Sequence, residues 1–158
     1  DAVTQKGGAV QMAAMDVPMV GRMAMIADPQ GAPLYVMKPE SRELSLAFAA
    51  DRPRVGHAAW NELSTPDPAG AWTFYGEMFG WVQDGDMDMG LIGAVMPAEA
   101  PAWTAYFRVP DIDVAKAAVE AGGGQVVQGP DEIPGGEFSM NCLDPQGAAF
   151  GLIGYRKA

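Results

Sequence analysis

Two stretches of this chain carry the same signposts 116 residues apart, and that spacing constrains the fold more than any other feature. The first runs Gly7-Gly8-Ala9-Val10, Val17-Pro18, Met23 to Ala27 and Asp28-Pro29-Gln30-Gly31-Ala32. The second runs Gly123-Gly124-Gln125-Val126, Ile133-Pro134, Ser139 to Leu143 and Asp144-Pro145-Gln146-Gly147-Ala148. Ungapped agreement of this kind reads as a duplicated unit. Its local chemistry is plain. A glycine pair ends a helix, because the C-terminal cap wants a left-handed residue. An apolar strand follows, then a proline-bearing turn and a second strand. Asp-Pro-Gln-Gly supplies a turn with Asp first, Pro second and Gly fourth. A third strand, Ala32 to Val36 or Ala148 to Ile153, returns beside the second.

A shorter echo lies inside the second half. Thr65-Pro66-Asp67 opens a helix over residues 68–79, with Asp67 or Thr65 as N-cap and Ala71, Phe74, Tyr75 and Met78 on one face. Pro110-Asp111 opens another helix over residues 112–121, with Val114, Ala117, Ala118 and Ala121 expected inward. Asp67 to Asp111 is an offset of 44, as is Gly80 to Gly124. Strands are expected at Ala59 to Ser64, from Trp81-Val82, at Leu91 to Met96 and at Ala105 to Val109. Asp84-Gly85-Asp86 is expected to form a hairpin turn. The reading is an α+β fold of paired strand–helix–strand–strand–strand modules. Residues 1–40 form the C-terminal part of a first domain, 41–56 a linker with a helical turn at Leu44 to Ala50, and 57–158 a second domain of two modules. A chain that opens on a helix end and its cap reads as a larger protein entered midway.

Charge and cysteine content narrow the function. Twenty acids against ten Lys plus Arg give a formal charge of −10, which a phosphate backbone would repel, so nucleic acid is not an expected partner. No apolar run reaches the length of a membrane span. The single cysteine, Cys142, excludes an intramolecular disulfide and a cysteine-rich zinc site, and fits a reducing cytoplasm. Its place in an apolar strand makes it a buried, inert thiol.

The residues Trp60-Asn61-Glu62-Leu63-Ser64-Thr65-Pro66-Asp67, Phe74-Tyr75 with Phe79-Gly80-Trp81, and Asp144-Pro145-Gln146-Gly147-Ala148-Ala149-Phe150-Gly151 resemble the vicinal oxygen chelate superfamily. That superfamily groups glyoxalase I, bleomycin-resistance proteins and extradiol dioxygenases. The chain is most similar to its two-domain, glyoxalase-like bacterial members. The resemblance implies paired βαβββ modules forming a curved, partly open mixed β-sheet barrel with helices outside. It also implies three strands between Gly80 and Met96. Sixteen residues are few for that, so the hairpin is trimmed or a loop is missing.

The resemblance further implies a metal held by a histidine from the opening strand of each module and a carboxylate from its final strand. Those positions fall on Trp60 and Thr104, and near Tyr35 and Gly151, none of them a ligand for a divalent ion. His57, the only histidine, lies three residues before the position that matters. No metal or other cofactor is therefore expected, and a Ser–His–Asp or Cys–His hydrolase would have to rely on His57 alone. If Ala59, Leu63, Phe107 and Val109 pack under the helices, alternation turns Trp60, Glu62, Ser64, Thr104, Tyr106 and Arg108 into the cavity. Two accounts of that face stay open. In one, Glu62 and Arg108 form a structural pair. In the other, Trp60 and Tyr106 stack on a planar ligand while Glu62 and Arg108 fix its polar groups. The expected function is metal-free binding or sequestration of an aromatic or carbonyl-bearing small molecule, by a monomer or homodimer. The alternative is an enzyme of the superfamily, a lyase, isomerase or hydroxylase-like protein, using Glu62 as base or a metal from an absent N-terminal part.

Overall fold

The structure, a computed structural model, describes residues 2–43, 54–83 and 93–157. In chain order they form α1 (Ala2–Gln5), β1 (Ala9–Val17), β2 (Gly21–Ala27), β3 (Pro33–Pro39), β4 (Ala58–Thr65), α2 (Pro68–Phe79), β5 (Gly93–Pro97), β6 (Ala102–Arg108), α3 (Ile112–Ala121), β7 (Gln125–Ile133), β8 (Glu137–Leu143) and β9 (Ala149–Gly154). The class is α+β, with mixed strand pairing. The turn expected at Asp84-Gly85-Asp86 and the helical turn expected at Leu44 to Ala50 lie outside the described residues. The chain divides into two compact units, one of Asp1–Ser45 with Glu62–Trp103 and one of Leu46–Asn61 with Thr104–Ala158. Strand β4 is split between them.

In the first unit, β1, β2 and β3 form an antiparallel sheet in that order. Ile26, Leu34 and Val36 alternate onto one face and meet Val3, Leu63, Ala71, Phe74, Tyr75 and Val95 in a core beneath α2. Helix α2 starts where Asp67 accepts a hydrogen bond from Gly70 N at 2.9 Å, with Pro68 in the first turn. It stops at Gly80, whose φ of 70° is the left-handed cap that glycine takes without strain. Trp81 and Val82 do not open a strand as expected. Trp81 instead stacks on Tyr75 at 5.2 Å between ring centroids, joining Phe79 and Trp103 in one aromatic cluster. Burying an indole there outweighs its β propensity.

The second unit contains a complete βαβββ module, β6–α3–β7–β8–β9, with sheet order β6-β9-β8-β7. Strands β6 and β9 are parallel and the other pairs antiparallel. Asp111 caps α3 by accepting from the N–H groups of Asp113 and Val114. The helix packs through Ile112, Ala115 and Val119 onto Met140, Cys142 and Leu152. The stripe expected inward, Val114, Ala117, Ala118 and Ala121, is exposed instead, Val114 at 66%. An alanine-rich helix is apolar nearly all round, so spacing alone offers two stripes, and Ile112 at the first position decides between them. The ends also depart from the 44-residue offset. Asp67 and Asp111 both cap, but α3 is two residues shorter than α2, and it ends at Gly122 rather than Gly124.

The longer offset holds to the residue. Adding 116 to the bounds of β1 and β2 returns those of β7 and β8. Pairs such as Met12↔Met25 and Met15↔Met23 return Gln128↔Asn141 and Asp131↔Ser139, with the same two register shifts. The helix-ending glycines match too, Gly7 with φ 84° and Gly123 with φ 83°. Gly8 and Gly124 serve a different need. A Cβ there would stand 2.6 Å from Ala27 O or 2.7 Å from Leu143 O.

Candidate ligand site

Strand β8 reads Glu137-Phe138-Ser139-Met140-Asn141-Cys142-Leu143, polar and apolar in alternation. Met140 and Cys142 go under α3, and burial raises the pKa of the Cys142 thiol, as an inert core cysteine requires. Alternation puts Glu137, Ser139 and Asn141 on the opposite face. Gly151 and Ile153 of β9 pair with Asn141 and Ser139, and Tyr106 and Arg108 of β6 pair with Gly151 and Ile153. The second unit thus gathers Tyr106, Arg108, Glu137, Ser139, Asn141 and Gly151 on the sheet face away from its helix.

Tyr106 is only 5% exposed and lies flat on Gly151. A Cβ at 151 would come within 2.1 Å of its ring, so glycine is the residue that gives the ring its seat. The phenol donates to Asn141 Oδ1 at 2.6 Å. Two N–H groups of Arg108 reach the two oxygens of Glu137, Nη1 to Oε1 and Nη2 to Oε2, the latter at 3.2 Å. Both side chains are about five-sixths buried, at 16% and 17% exposure. The main chain of Arg108 is held as well, its carbonyl accepting from Gly56 N and its N–H donating to His57 O. Arg108 Nε is buried without a hydrogen-bond partner among the described residues. An unmet buried donor is costly, about 1–3 kcal/mol.

Of the residues expected to line the cavity, Thr104, Tyr106 and Arg108 share this unit with Trp60. Glu62 and Ser64 belong to the first unit, on the strand face opposite Leu63, which is fully buried in that unit's core. The carboxylate that grips Arg108 is Glu137, a residue the sequence reading did not single out. Phe107, expected under the helix, is 39% exposed, while Val109 packs there. Glu137 and Asn141 were legible in principle from the alternation of β8. The seat at Gly151 was not, because it depends on a neighbouring strand.

A metal of the kind the resemblance implies does not fit these residues. The expected final-strand position falls near Gly151, where the Tyr106 ring fills the space a side chain would need. Among the described residues no three His, Cys, Asp or Glu side chains converge as ligands. Nor is any helix among them long and apolar enough to cross a membrane.

No family model matches the chain. It is 33% identical over 170 residues to CFP32 of Mycobacterium tuberculosis, whose name assigns it as a glyoxylase, with 97% of this chain and 63% of that protein covered. It is also 33% identical over 183 residues to the anthracycline biosynthesis protein DauV of a Streptomyces species, covering 100% of this chain and 63% of DauV. The chain therefore spans under two thirds of the length of these relatives. Among solved structures it resembles the Mn(II)-bound glyoxalase of Novosphingobium aromaticivorans, with a TM-score of 0.61 at 15% identity over 99% of this chain and 57% of that one. Homoprotocatechuate 2,3-dioxygenase of Arthrobacter globiformis gives 0.61 at 15% identity, over 92% and 53%. At such identities the structures speak for the fold alone. With the two sequence relatives beside them, they support kinship with the vicinal oxygen chelate superfamily.

Proposed function

We propose that this protein binds a small aromatic or carbonyl-bearing molecule without a metal ion, holding it against the polar sheet face of the second unit. The observation that carries the reading is the Tyr106 ring lying on Gly151. The position from which relatives by resemblance would present a carboxylate to an ion is taken by an aromatic surface. Beside it stands a guanidinium with one N–H unmet among the described residues. An aromatic wall with a few convergent polar groups is what a small planar ligand requires. Kinship with proteins named for glyoxylase activity and for anthracycline biosynthesis supports a carbonyl-bearing, ring-containing ligand. Trp60 and Thr104 extend the same wall in this reading. The protein acts in the cytoplasm as a monomer or homodimer.

The test is a thermal-shift screen of aromatic ketones and related carbonyl compounds, with hits titrated before and after exhaustive chelation by EDTA. Ligand that binds the native state must raise the melting temperature. Affinity is expected to be unchanged by chelation and by added Mn(II), Ni(II) or Zn(II). Loss of binding on chelation, with recovery on adding one metal back, would sink the metal-free reading. Turnover of a hit, abolished by Glu62→Gln, would point to the enzymatic alternative.

A further inference from the structure

We infer that the first unit carries a binding site for a soft monovalent cation, Cu(I), formed by the thioether sulfurs of Met15, Met23 and Met37. The inference is independent of the ligand proposed above, which is assigned to the second unit.

The sheet of β1, β2 and β3 has two faces of different character. Ile26, Leu34 and Val36 go beneath α2 into the core. Residues that alternate with them build the other face. There Met23 lies opposite Met15 on one side and Met37 on the other, and Met25 lies between Met12 and Tyr35. Met12 and Met15 are three residues apart, a spacing that plain alternation would send to opposite faces. The register shift between them re-aims the strand, so that each stands opposite a methionine of β2. One row thus sets three thioethers side by side across three strands. Direct partners in an antiparallel pair hold their Cβ atoms about 4.5–5.5 Å apart, a gap that unbranched methionine side chains can close onto a single ion.

The row is accessible. Met15 is 49% and Met37 is 53% exposed, with Met23 half-buried between them. Neither of the two core clusters includes any of the three, so core filling does not account for them. Nor does the backbone call for methionine. The same register in the second unit holds Asp131, Ser139 and Ile153.

The donors set the class of ion. A thioether is neutral and polarisable, and a set made only of thioethers selects Cu(I), whereas Zn(II) and Ni(II) favour imidazole and Mn(II) favours carboxylate. Among the described residues no three His, Cys, Asp or Glu side chains gather to hold those harder ions. The formal charge of −10 favours the approach of a cation.

The full chain is titrated under nitrogen with Cu(I) held by bicinchoninate, and loss of the coloured chelate counts the ions taken up. One equivalent is expected, and excess Zn(II) or Mn(II) should not displace it. Met15→Leu, Met23→Leu and Met37→Leu keep the apolar volume and remove the sulfur. Each is expected to weaken Cu(I) binding at least about tenfold. Met19 is the control, since it is 93% exposed in the turn between β1 and β2 but stands outside the row. Met19→Leu should change the affinity by less than about twofold. In the unaltered protein Ag(I), a redox-inert stand-in, should shift the methyl resonances of the three row methionines and leave that of Met140, buried in the second unit, in place. That readout decides the matter if a leucine variant fails to fold. The inference is overturned if bicinchoninate keeps all the Cu(I), or if the triple leucine variant binds as tightly as the unaltered protein. It is equally overturned if Met19→Leu weakens binding as much as the row substitutions do, or if Ag(I) leaves the row resonances unmoved.

Discussion

The runs of residues 9–39 and 125–154 share a strand pairing and differ in side-chain chemistry. Their strands coincide to within one residue and their pairings and register shifts match under the 116-residue offset, while the side chains on the corresponding sheet face do not. In the first run the face carries Met12, Met15, Met23, Met25, Tyr35 and Met37. In the second those positions hold Gln128, Asp131, Ser139, Asn141, Gly151 and Ile153. The shared pairing rests on the matched Gly7/Gly123 and Gly8/Gly124 and on the turn aspartates Asp28 and Asp144. The face residues touch none of those constraints, so they diverge freely. The offset therefore describes a scaffold, and a site has to be argued from one run at a time.

The two turn aspartates show the same split at closer range, and they give the largest expected effect. Asp28 and Asp144 each accept from the N–H groups two and four residues on, at distances between 2.8 and 3.0 Å. Only Asp28 is buried, at 3% exposure, and only Asp28 also accepts from Tyr75, at 3.0 Å. Asp28→Ala strands a buried phenol and two amides and is expected to cost about 3 kcal/mol. Asp144→Ala frees amides that water can reach and should cost about 1 kcal/mol. Denaturant midpoints of the two variants measure this. Equal losses would mean that burial is not what distinguishes the turns.

Position 151 against position 35 sharpens the comparison one step down. Gly151→Ala forces a Cβ into the Tyr106 ring and is expected to destabilise by roughly 1–3 kcal/mol, as overpacking does. In a Tyr106→Ala background the same change should cost close to nothing. At the matching position the first run places Tyr35, 59% exposed, and Tyr35→Ala is expected to stay within about 0.5 kcal/mol. A double-mutant cycle on Tyr106 and Gly151 reads the coupling directly. Additive losses would mean the ring does not depend on its seat.

What the sequence made legible follows the same line. The turn chemistry of Asp-Pro-Gln-Gly and the paired glycines are local, so the offset located six strands from residue order alone. Helices α2 and α3 were legible because Asp67 and Asp111 cap them and glycine stops them. The inward face of α3 was not, since Val114, Ala117, Ala118 and Ala121 repeat at helical spacing as well as Ile112, Ala115 and Val119 do. Trp81 was misread because propensity speaks for a strand and only tertiary packing against Tyr75 speaks otherwise. At the site, alternation named Tyr106 and Arg108, which share a face of β6. One of its two accounts paired Arg108 with Glu62, and the structure gives Arg108 the carboxylate of Glu137 from β8. Cross-strand partners depend on sheet order, and sheet order is not written in any one strand.

The smallest effect expected from the two runs is one of pH. Tyr75 sits between Trp103, whose indole donates to the phenol at 3.2 Å, and Asp28, which accepts its proton. Its pKa is pushed well above the usual 10, by burial first and then by the Asp28 carboxylate as neighbouring charge and as acceptor, against the opposing pull of the Trp103 bond. Below about pH 10 folded and unfolded chains both keep the phenol proton, so stability does not change on this account. Above it the unfolded chain releases the proton while the folded chain retains it, so stability falls as pH rises. Denaturant unfolding between pH 9 and 11 should therefore show an alkaline decline that Tyr75→Phe flattens, at a cost of about 1 kcal/mol near neutrality for the lost hydrogen bonds. Asp28→Asn removes the carboxylate's share and should flatten the decline in part. Asp144→Asn, in the turn with no phenol above it, should leave the decline as it was, and a slope that responds equally to both substitutions would erase the distinction between the buried turn and the open one.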